Sequence, residues 1–115
     1  MPTETLFTKI INGQIPAKEV YRDERMIAIR DINPQAPTHL LIIPVKPIPS
    51  VAQVEPEDVE LLGALFLTAR RLAEQEGLAK DGYRLVVNTG LLAGQTVPHL
   101  HVHLLGGRQM GWPPG

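Results

Sequence analysis

The sequence contains no cysteine among its 115 residues. Disulfide bonds, thiolate nucleophiles and cysteine-ligated zinc sites are therefore excluded. Because disulfides are rare in the cytoplasm, a chain without cysteine fits that compartment, and we expect a cytoplasmic protein. The first five residues also lack the basic and apolar segments of a secretory signal peptide.

An excess of either charge is missing as well. Eleven Lys and Arg residues face twelve Asp and Glu residues, which gives a net charge of −1 and a pI of about 6.4. Proteins that bind nucleic acid or membrane surfaces usually carry a strong basic patch, so we expect neither partner. No apolar run approaches the ~20 residues of a membrane-spanning helix. The length predicts a single domain over residues 1–115.

Histidine, by contrast, is concentrated in one place. Three of the four histidines, His99, His101 and His103, lie within five residues and alternate with apolar residues. Successive side chains of a strand point to opposite faces. A strand over 98–105 would therefore place three imidazoles on one face and the intervening apolar residues on the core.

A row of imidazoles has a specific chemistry. Because like charges at close range disfavour protonation, we expect neutral rings that each carry one N–H and one basic nitrogen. The basic nitrogen can attack phosphorus while neighbouring rings donate hydrogen bonds to phosphate oxygens. Two alternatives remain open: a structural strand with a histidine-rich exposed face, and a metal site. On a straight strand the outer two histidines lie too far apart for all three to share one ion.

Turn residues and hydrophobic periodicity predict the other elements. They indicate a helix over 5–11, a hairpin of strands 19–22 and 25–30, a continuous apolar strand over 38–44, a helix over 56–76 and a strand over 83–88. The second helix is expected to bury one stripe, which consists of Val59, Leu62, Phe66, Ala69 and Ala73 and is widened by Leu65 and Leu72.

The loop over 89–96 connects the last two predicted strands and contains Gly90 and Gly94. Glycine lets backbone N–H groups approach an anion closely. Alone, such a loop is equally consistent with a plain hairpin connection. Beside three imidazoles, it becomes a candidate phosphate-binding loop.

The histidine cluster resembles the His-φ-His-φ-His-φ-φ signature of the histidine-triad family, in which φ is an apolar residue. The likeness to that family's branch of small nucleotide-binding proteins extends over nearly the whole chain. Its segments are Leu6-Phe7, Ile15-Pro16-Ala17, Asp31 to His39, Gly94 to Val97, Gly107 to Met110 and Trp112 to Gly115.

The resemblance implies an α+β fold in which two helices accompany a five-stranded antiparallel sheet. It implies a homodimer that extends the sheet, with the tail over 106–115 docking near the active site or on the dimer partner. It further implies hydrolysis of purine nucleoside phosphoramidates through a nucleotidyl-histidine intermediate, with no metal and no cofactor. Dinucleoside polyphosphate hydrolysis and non-catalytic nucleotide binding are the alternatives.

The resemblance also implies roles for individual residues. His101 would attack phosphorus, with its Nδ1 proton held by the carbonyl of His99, and His103 would donate to a phosphate oxygen. His39 would hold the orientation of His101, and Asp31 would accept hydrogen bonds from the ribose hydroxyls. The base would lie among Leu6, Phe7, Ile10, Ile29, Ile32 and Leu41, and the phosphate beside Asn88, Gly94, Gln95 and Thr96. The Thr96 hydroxyl would pass a proton to the leaving amine, and Trp112 would complete the substrate site.

Overall fold

A five-stranded antiparallel sheet with strand order β1-β2-β3-β5-β4 forms the centre of the computed structural model, which describes residues 4–115. Residues 1–3 of the predicted domain lie outside the described part. The strands are β1 (Glu19–Arg22), β2 (Met26–Arg30), β3 (Thr38–Pro44), β4 (Tyr83–Val86) and β5 (Val102–Gly106), and the α-helices are α1 (Leu6–Ile11) and α2 (Val59–Gln75). The predicted α+β architecture is confirmed.

Each face of the sheet is covered by one helix. On one face, α2 packs on a cluster that includes Leu40, Ile42 and Val102. On the other face, α1 contributes Phe7 and Ile10 to a smaller cluster with residues of β2 and β3. Strand β3 is apolar along most of its length because it is covered on both sides.

Local hydrogen bonds define where these elements begin. Thr5 caps α1: its hydroxyl accepts from the Thr8 amide at 3.3 Å, and the Thr8 hydroxyl accepts from the Thr5 amide at 2.7 Å. In the β1–β2 turn, the Asp23 carboxylate accepts from the amides of Arg25 and Met26 at 2.7 and 3.0 Å. The short helix was predicted from the spacing of its apolar residues, and the hairpin from its two strands and the turn between them.

The orientation of α2 differs from the prediction. A 3₁₀ turn over Pro56–Asp58 precedes the helix, so the α-helical part begins at Val59. Its buried residues are Ala64, Leu65, Thr68, Ala69, Leu72 and Ala73. Val59 and Phe66, which were expected in the core, are 66% and 48% exposed. Apolar residues occupy most of the circumference of α2, so the 3.6-residue period predicted the helix without determining which side is buried.

The histidine strand is shorter than predicted. β5 begins at Val102, so only His103 of the three clustered histidines lies in it, and β4 ends at Val86 rather than residue 88. Pro98 has no N–H to give to a ladder, and the Leu100 amide donates to the Ile48 carbonyl at 2.7 Å instead of to a strand. The predicted alternation of faces nevertheless holds for the side chains, because Leu100, Val102 and Leu104 all join the core under α2. No helix among the described residues combines the length and apolarity that crossing a membrane requires.

Candidate active site

A cavity of about 230 Å³ lies between α1 and the sheet, and two of the clustered imidazoles line it. Most of its wall is apolar, with a few polar groups, which is the usual character of a small-molecule site. The lining residues are Leu6, Phe7, Ile10, Ile15, Pro16, Ala17, Ile29, Arg30, Asp31, Ile32, Leu41, Thr96, Val97, His101 and His103.

His101 is held with one ring nitrogen free. Its Nδ1 lies 2.7 Å from the His99 carbonyl, which can only accept, so Nδ1 carries the proton. Nε2 therefore keeps its lone pair. The edge of the Phe7 ring packs against the imidazole, with 4.9 Å between ring centroids. Burial lowers the pKa of His101 and favours the neutral, nucleophilic ring.

His103 receives its hydrogen bond from His39 and not from the backbone. β3 and β5 pair His39 with Leu105, so His39 and His103 are diagonal neighbours on the same sheet face. The His39 Nε2 lies 2.9 Å from the His103 Nδ1. His39 was expected to orient His101, but its ring contacts His103 instead. The positions of the histidines in the sequence did not indicate the contact between His39 and His103, because this contact depends on the register between β3 and β5.

A backbone amide determines where the protons of this pair lie. The Gln35 N–H donates to the His39 Nδ1 at 3.0 Å, so that nitrogen is unprotonated. In neutral His39 the proton is then on Nε2, which donates to the His103 Nδ1. Because the His103 Nδ1 accepts this hydrogen bond, the single N–H of neutral His103 is on its Nε2 and is available to a ligand.

All four imidazoles favour the neutral form. Burial is the main cause of the lowered pKa of His39, His99 and His101. The pKa of His103 is lowered to about 4, first by burial and then by its two histidine neighbours. The clustering of the histidines predicted neutral rings at neutral pH.

His99 acts through its position in the backbone. Its ring is buried and does not line the cavity; its Nε2 donates to the Pro44 carbonyl at 2.7 Å. The Nδ1 is buried and has no hydrogen-bond partner among the described residues. The ring thus anchors the segment whose carbonyl holds His101.

Asp31 lies where two cavities meet. It lines both the cavity beside His101 and an adjoining, more open one of about 640 Å³, which His39 also lines. One carboxylate oxygen accepts from the Asn33 amide at 2.8 Å, and the other lies 3.5 Å from the His39 Nε2. Each oxygen has a second lone pair, so the carboxylate keeps acceptor capacity for a ligand.

The loop before the histidine segment is closed by its own hydrogen bonds. The Gly94 and Gln95 amides donate to Leu91 and Gly90 carbonyls at 3.0 and 3.1 Å. The Gln95 side chain accepts from the Gly90 amide and donates to the Pro49 and Val97 carbonyls. To contact a phosphate, the backbone amides of Gly94 and Gln95 would have to share or exchange their present hydrogen bonds. The Gln95 side chain therefore serves first to stabilise the loop.

All six residues predicted for the base line the cavity, whereas six other predicted site residues do not. These six are His39, His99, Asn88, Gly94, Gln95 and Trp112. Trp112 is 83% exposed and lies beside Arg84 of β4, whose guanidinium is 6.0 Å from the indole ring. The lining residues without a predicted role are Ile15, Pro16, Ala17, Arg30 and Val97. Of these five, Ile15, Pro16, Ala17 and Val97 lie in segments that resemble the known family, whereas no sequence signal pointed to Arg30.

One group of side chains could hold a metal ion. Asp31, His39 and His103 each offer a ligand atom, and these atoms lie within 4.8 Å of one another. Neutral imidazole and carboxylate are suitable ligands for zinc. An ion there would have to replace the proton between His39 and His103, and the Nε2 of His101 is not among the ligand atoms.

Comparison with known proteins gives consistent matches over nearly the whole chain. A family model described as "HIT domain" matches residues 12–110. The chain is 53% identical to the purine nucleoside phosphoramidase of Escherichia coli strain K12, over 96% of this chain and 93% of the relative. It is 57% identical to the 14 kDa zinc-binding protein of Zea mays, over 96% of this chain and 88% of the relative.

Solved structures give the same result. A HIT family hydrolase from Legionella pneumophila superposes with a TM-score of 0.96 at 54% identity, over 97% of this chain and 100% of the other. A HIT family hydrolase from Clostridium thermocellum gives a TM-score of 0.92 at 47% identity, over 96% of each chain.

Proposed function

Because the chain belongs to the HIT domain family, we propose that it hydrolyses purine nucleoside phosphoramidates through a covalent nucleotidyl-histidine intermediate. One observation carries the proposal: the His101 imidazole lines a ligand-sized cavity with its Nδ1 proton held by a carbonyl and its Nε2 lone pair free. The phosphoramidate substrate is suggested by the name of the Escherichia coli relative.

In the first step, the His101 Nε2 attacks the α-phosphorus while the P–N bond to the amine breaks. The nitrogen leaves with the bonding electron pair and takes up a proton, which the Thr96 hydroxyl passes to it. Charge builds on the non-bridging oxygens, and the His103 Nε2–H donates to one of them. In the second step, water attacks phosphorus and gives up the proton that restores the Thr96 hydroxyl, while the bond to His101 breaks and its electron pair returns to Nε2.

Binding would use the two characters of the cavity wall. The purine base would lie among the apolar side chains of α1, β2 and β3, with Phe7 and Leu41 on its surface. The ribose hydroxyls would donate to Asp31, which lies at the junction with the more open cavity. The contacts to the base and the ribose would place the α-phosphorus beside His101 and His103 without a charged side chain at the phosphate.

We also propose that the protein is a homodimer in which β4 extends the sheet. Among the described strands, β4 lies at one edge, next to β5 only. Val59 and Phe66 leave an apolar strip exposed on α2, although a monomer gains nothing from exposing such side chains. Trp112 lies beside Arg84 of this edge strand, so its predicted part in substrate binding would be at the site of the partner.

Replacement of the proposed nucleophile tests the function. We expect His101→Ala to abolish turnover of adenosine phosphoramidate or lysyl adenylate while nucleotide binding persists. His103→Gln is the matched control, because its amide N–H can replace the ring donor; it should slow turnover and still become labelled at His101. Rapid quenching of the wild-type protein with labelled substrate should trap the nucleotidyl-histidine.

The outcomes separate the alternatives. Retained turnover in His101→Ala would rule out His101 as the nucleophile. Absence of any labelled histidine in the wild type would favour a non-catalytic nucleotide-binding protein. Preferred cleavage of diadenosine tetraphosphate in competition with lysyl adenylate would favour dinucleoside polyphosphate hydrolysis.

A further inference from the structure

The C-terminal tail packs directly against the turn that precedes His39. After β5, Gly107 has a φ of +95°, and a Cβ atom at that position would lie 2.9 Å from the Cβ of Pro37. A glycine is therefore required both by the backbone conformation and by the close approach. The next residue, Arg108, donates from its Nε to the Gln35 carbonyl at 2.8 Å.

Gln35 is thus held on both sides of its backbone. Its carbonyl accepts from Arg108, and its N–H donates to the His39 Nδ1 at 3.0 Å. Within the same turn, the Gln35 side chain donates to the Asn33 carbonyl at 3.0 Å, and the Asn33 amide donates to Asp31 at 2.8 Å. The turn is therefore tied to Asp31 at one end and to Arg108 in the tail.

We propose that Arg108 is a positioning residue that fixes the tautomer of His39, and through it the proton of His103, by holding the Gln35 amide on His39. The effect on catalysis rests on the function proposed above, but the tautomer is a property of the free protein. Arg108 and His39 are far apart in sequence, and the Arg108 side chain reaches His39 through the backbone of Gln35.

The ring protons of His39 and His103 can be arranged in two ways, and only one of them directs an N–H of His103 toward a phosphate. With the Gln35 N–H on Nδ1, His39 carries its proton on Nε2 and donates to the His103 Nδ1, so the His103 Nε2–H points to the ligand. If the turn moves away, His39 can place its proton on Nδ1. His103 then donates from Nδ1 to His39, and its Nε2 presents a lone pair that repels a phosphate oxygen.

The guanidinium suits this task because its donors have fixed directions. The Arg108 Nε donates to Gln35 while its Nη1 donates to the Gln109 carbonyl at 3.1 Å. The planar group is therefore aligned by the tail itself before it reaches the turn. A lysine would supply a charge without this second attachment, so it should restore the effect only in part.

Nitrogen NMR of isotopically labelled imidazole rings tests the proposal without substrate. In the wild type at neutral pH, His39 should show a protonated Nε2 and an unprotonated Nδ1, and His103 the same. In Arg108→Ala and Arg108→Gln, the opposite tautomer should become populated for both rings, and Arg108→Lys should restore part of the wild-type signal. Arg84→Ala is the matched control, because Arg84 binds the tail at the Gly111 carbonyl and does not contact the turn.

Kinetics provides the second measurement. Loss of this exposed, charge-assisted hydrogen bond should lower kcat about fivefold with little change in KM. Unchanged ring signals of His39 and His103 in both Arg108→Ala and Arg108→Gln would overturn the assignment. If the tautomers shift as expected but the wild type cleaves no phosphoramidate, the proposed function fails and the role of Arg108 in the turn remains.

Discussion

At the scale of single residues, backbone groups select the proton positions of the imidazoles. Carbonyls hold the N–H groups of His99 and His101, and the Gln35 amide occupies the acceptor nitrogen of His39. His103 then takes its tautomer from His39. Neutral His101 therefore presents a free lone pair at Nε2, whereas neutral His103 presents an N–H at Nε2.

The lowered pKa values predict that the free energy of unfolding falls in mild acid. The unfolded chain binds protons at an ordinary histidine pKa of about 6.5, whereas folded His103 does so only near pH 4. The stability contributed by this group is therefore fully present above about pH 6.5 and is lost as the pH falls toward 4. For His103 alone the loss is on the order of 2 kcal/mol.

Urea denaturation over this pH range measures the effect. His103→Gln, which does not titrate, should lose less stability between pH 7 and pH 4 than the wild type does. Parallel curves for the two proteins would show that the folded pKa of His103 is not depressed.

At the scale of elements, the side of α2 that packs on the sheet decides which leucines stabilise the fold. Leu65 is 1% exposed in the core, whereas Leu67, two positions along the same helix, is 55% exposed. Both residues are leucines in the same helix. Only the contact with the sheet distinguishes them.

We expect Leu65→Ala to lower the free energy of unfolding by about 3 kcal/mol, since it removes buried methyl groups and leaves a cavity. Leu67→Ala is the control and should cost about 0.5 kcal/mol or less. Chemical denaturation of both variants at one protein concentration provides the comparison. Equal losses would contradict the observed rotation of α2.

At the scale of the whole molecule, the homodimer proposal rests on the exposed strip of α2 and the edge strand β4. Phe66→Glu places a charge on that strip without touching the core, so the monomer should stay folded while association weakens. Sedimentation over a range of concentrations should show a wild-type dimer and a largely monomeric variant. Leu67→Glu, about 100° away around the helix, should remain dimeric. A wild type that sediments as a monomer at all concentrations would contradict the proposal.

The local pattern of the sequence was sufficient for the order of the elements and for the neutral state of the clustered histidines. Alternation of histidine with apolar residues predicted that Leu100, Val102 and Leu104 face the core, and they do. Apolar spacing predicted α1, and the turn at residues 23 and 24 predicted the β1–β2 hairpin, because both signals depend on residues only a few positions apart. Family likeness then predicted six apolar residues around the base, and all six line the cavity.

Only the tertiary structure decided which ring contacts which and which way α2 faces. The His39–His103 pair spans 64 positions and exists because β3 and β5 pair in one particular register. The bond from Arg108 to Gln35 spans 73 positions and depends on the course of the tail after β5. Periodicity specifies how side chains are distributed around an element, but the partner of each side chain depends on how the elements pack together.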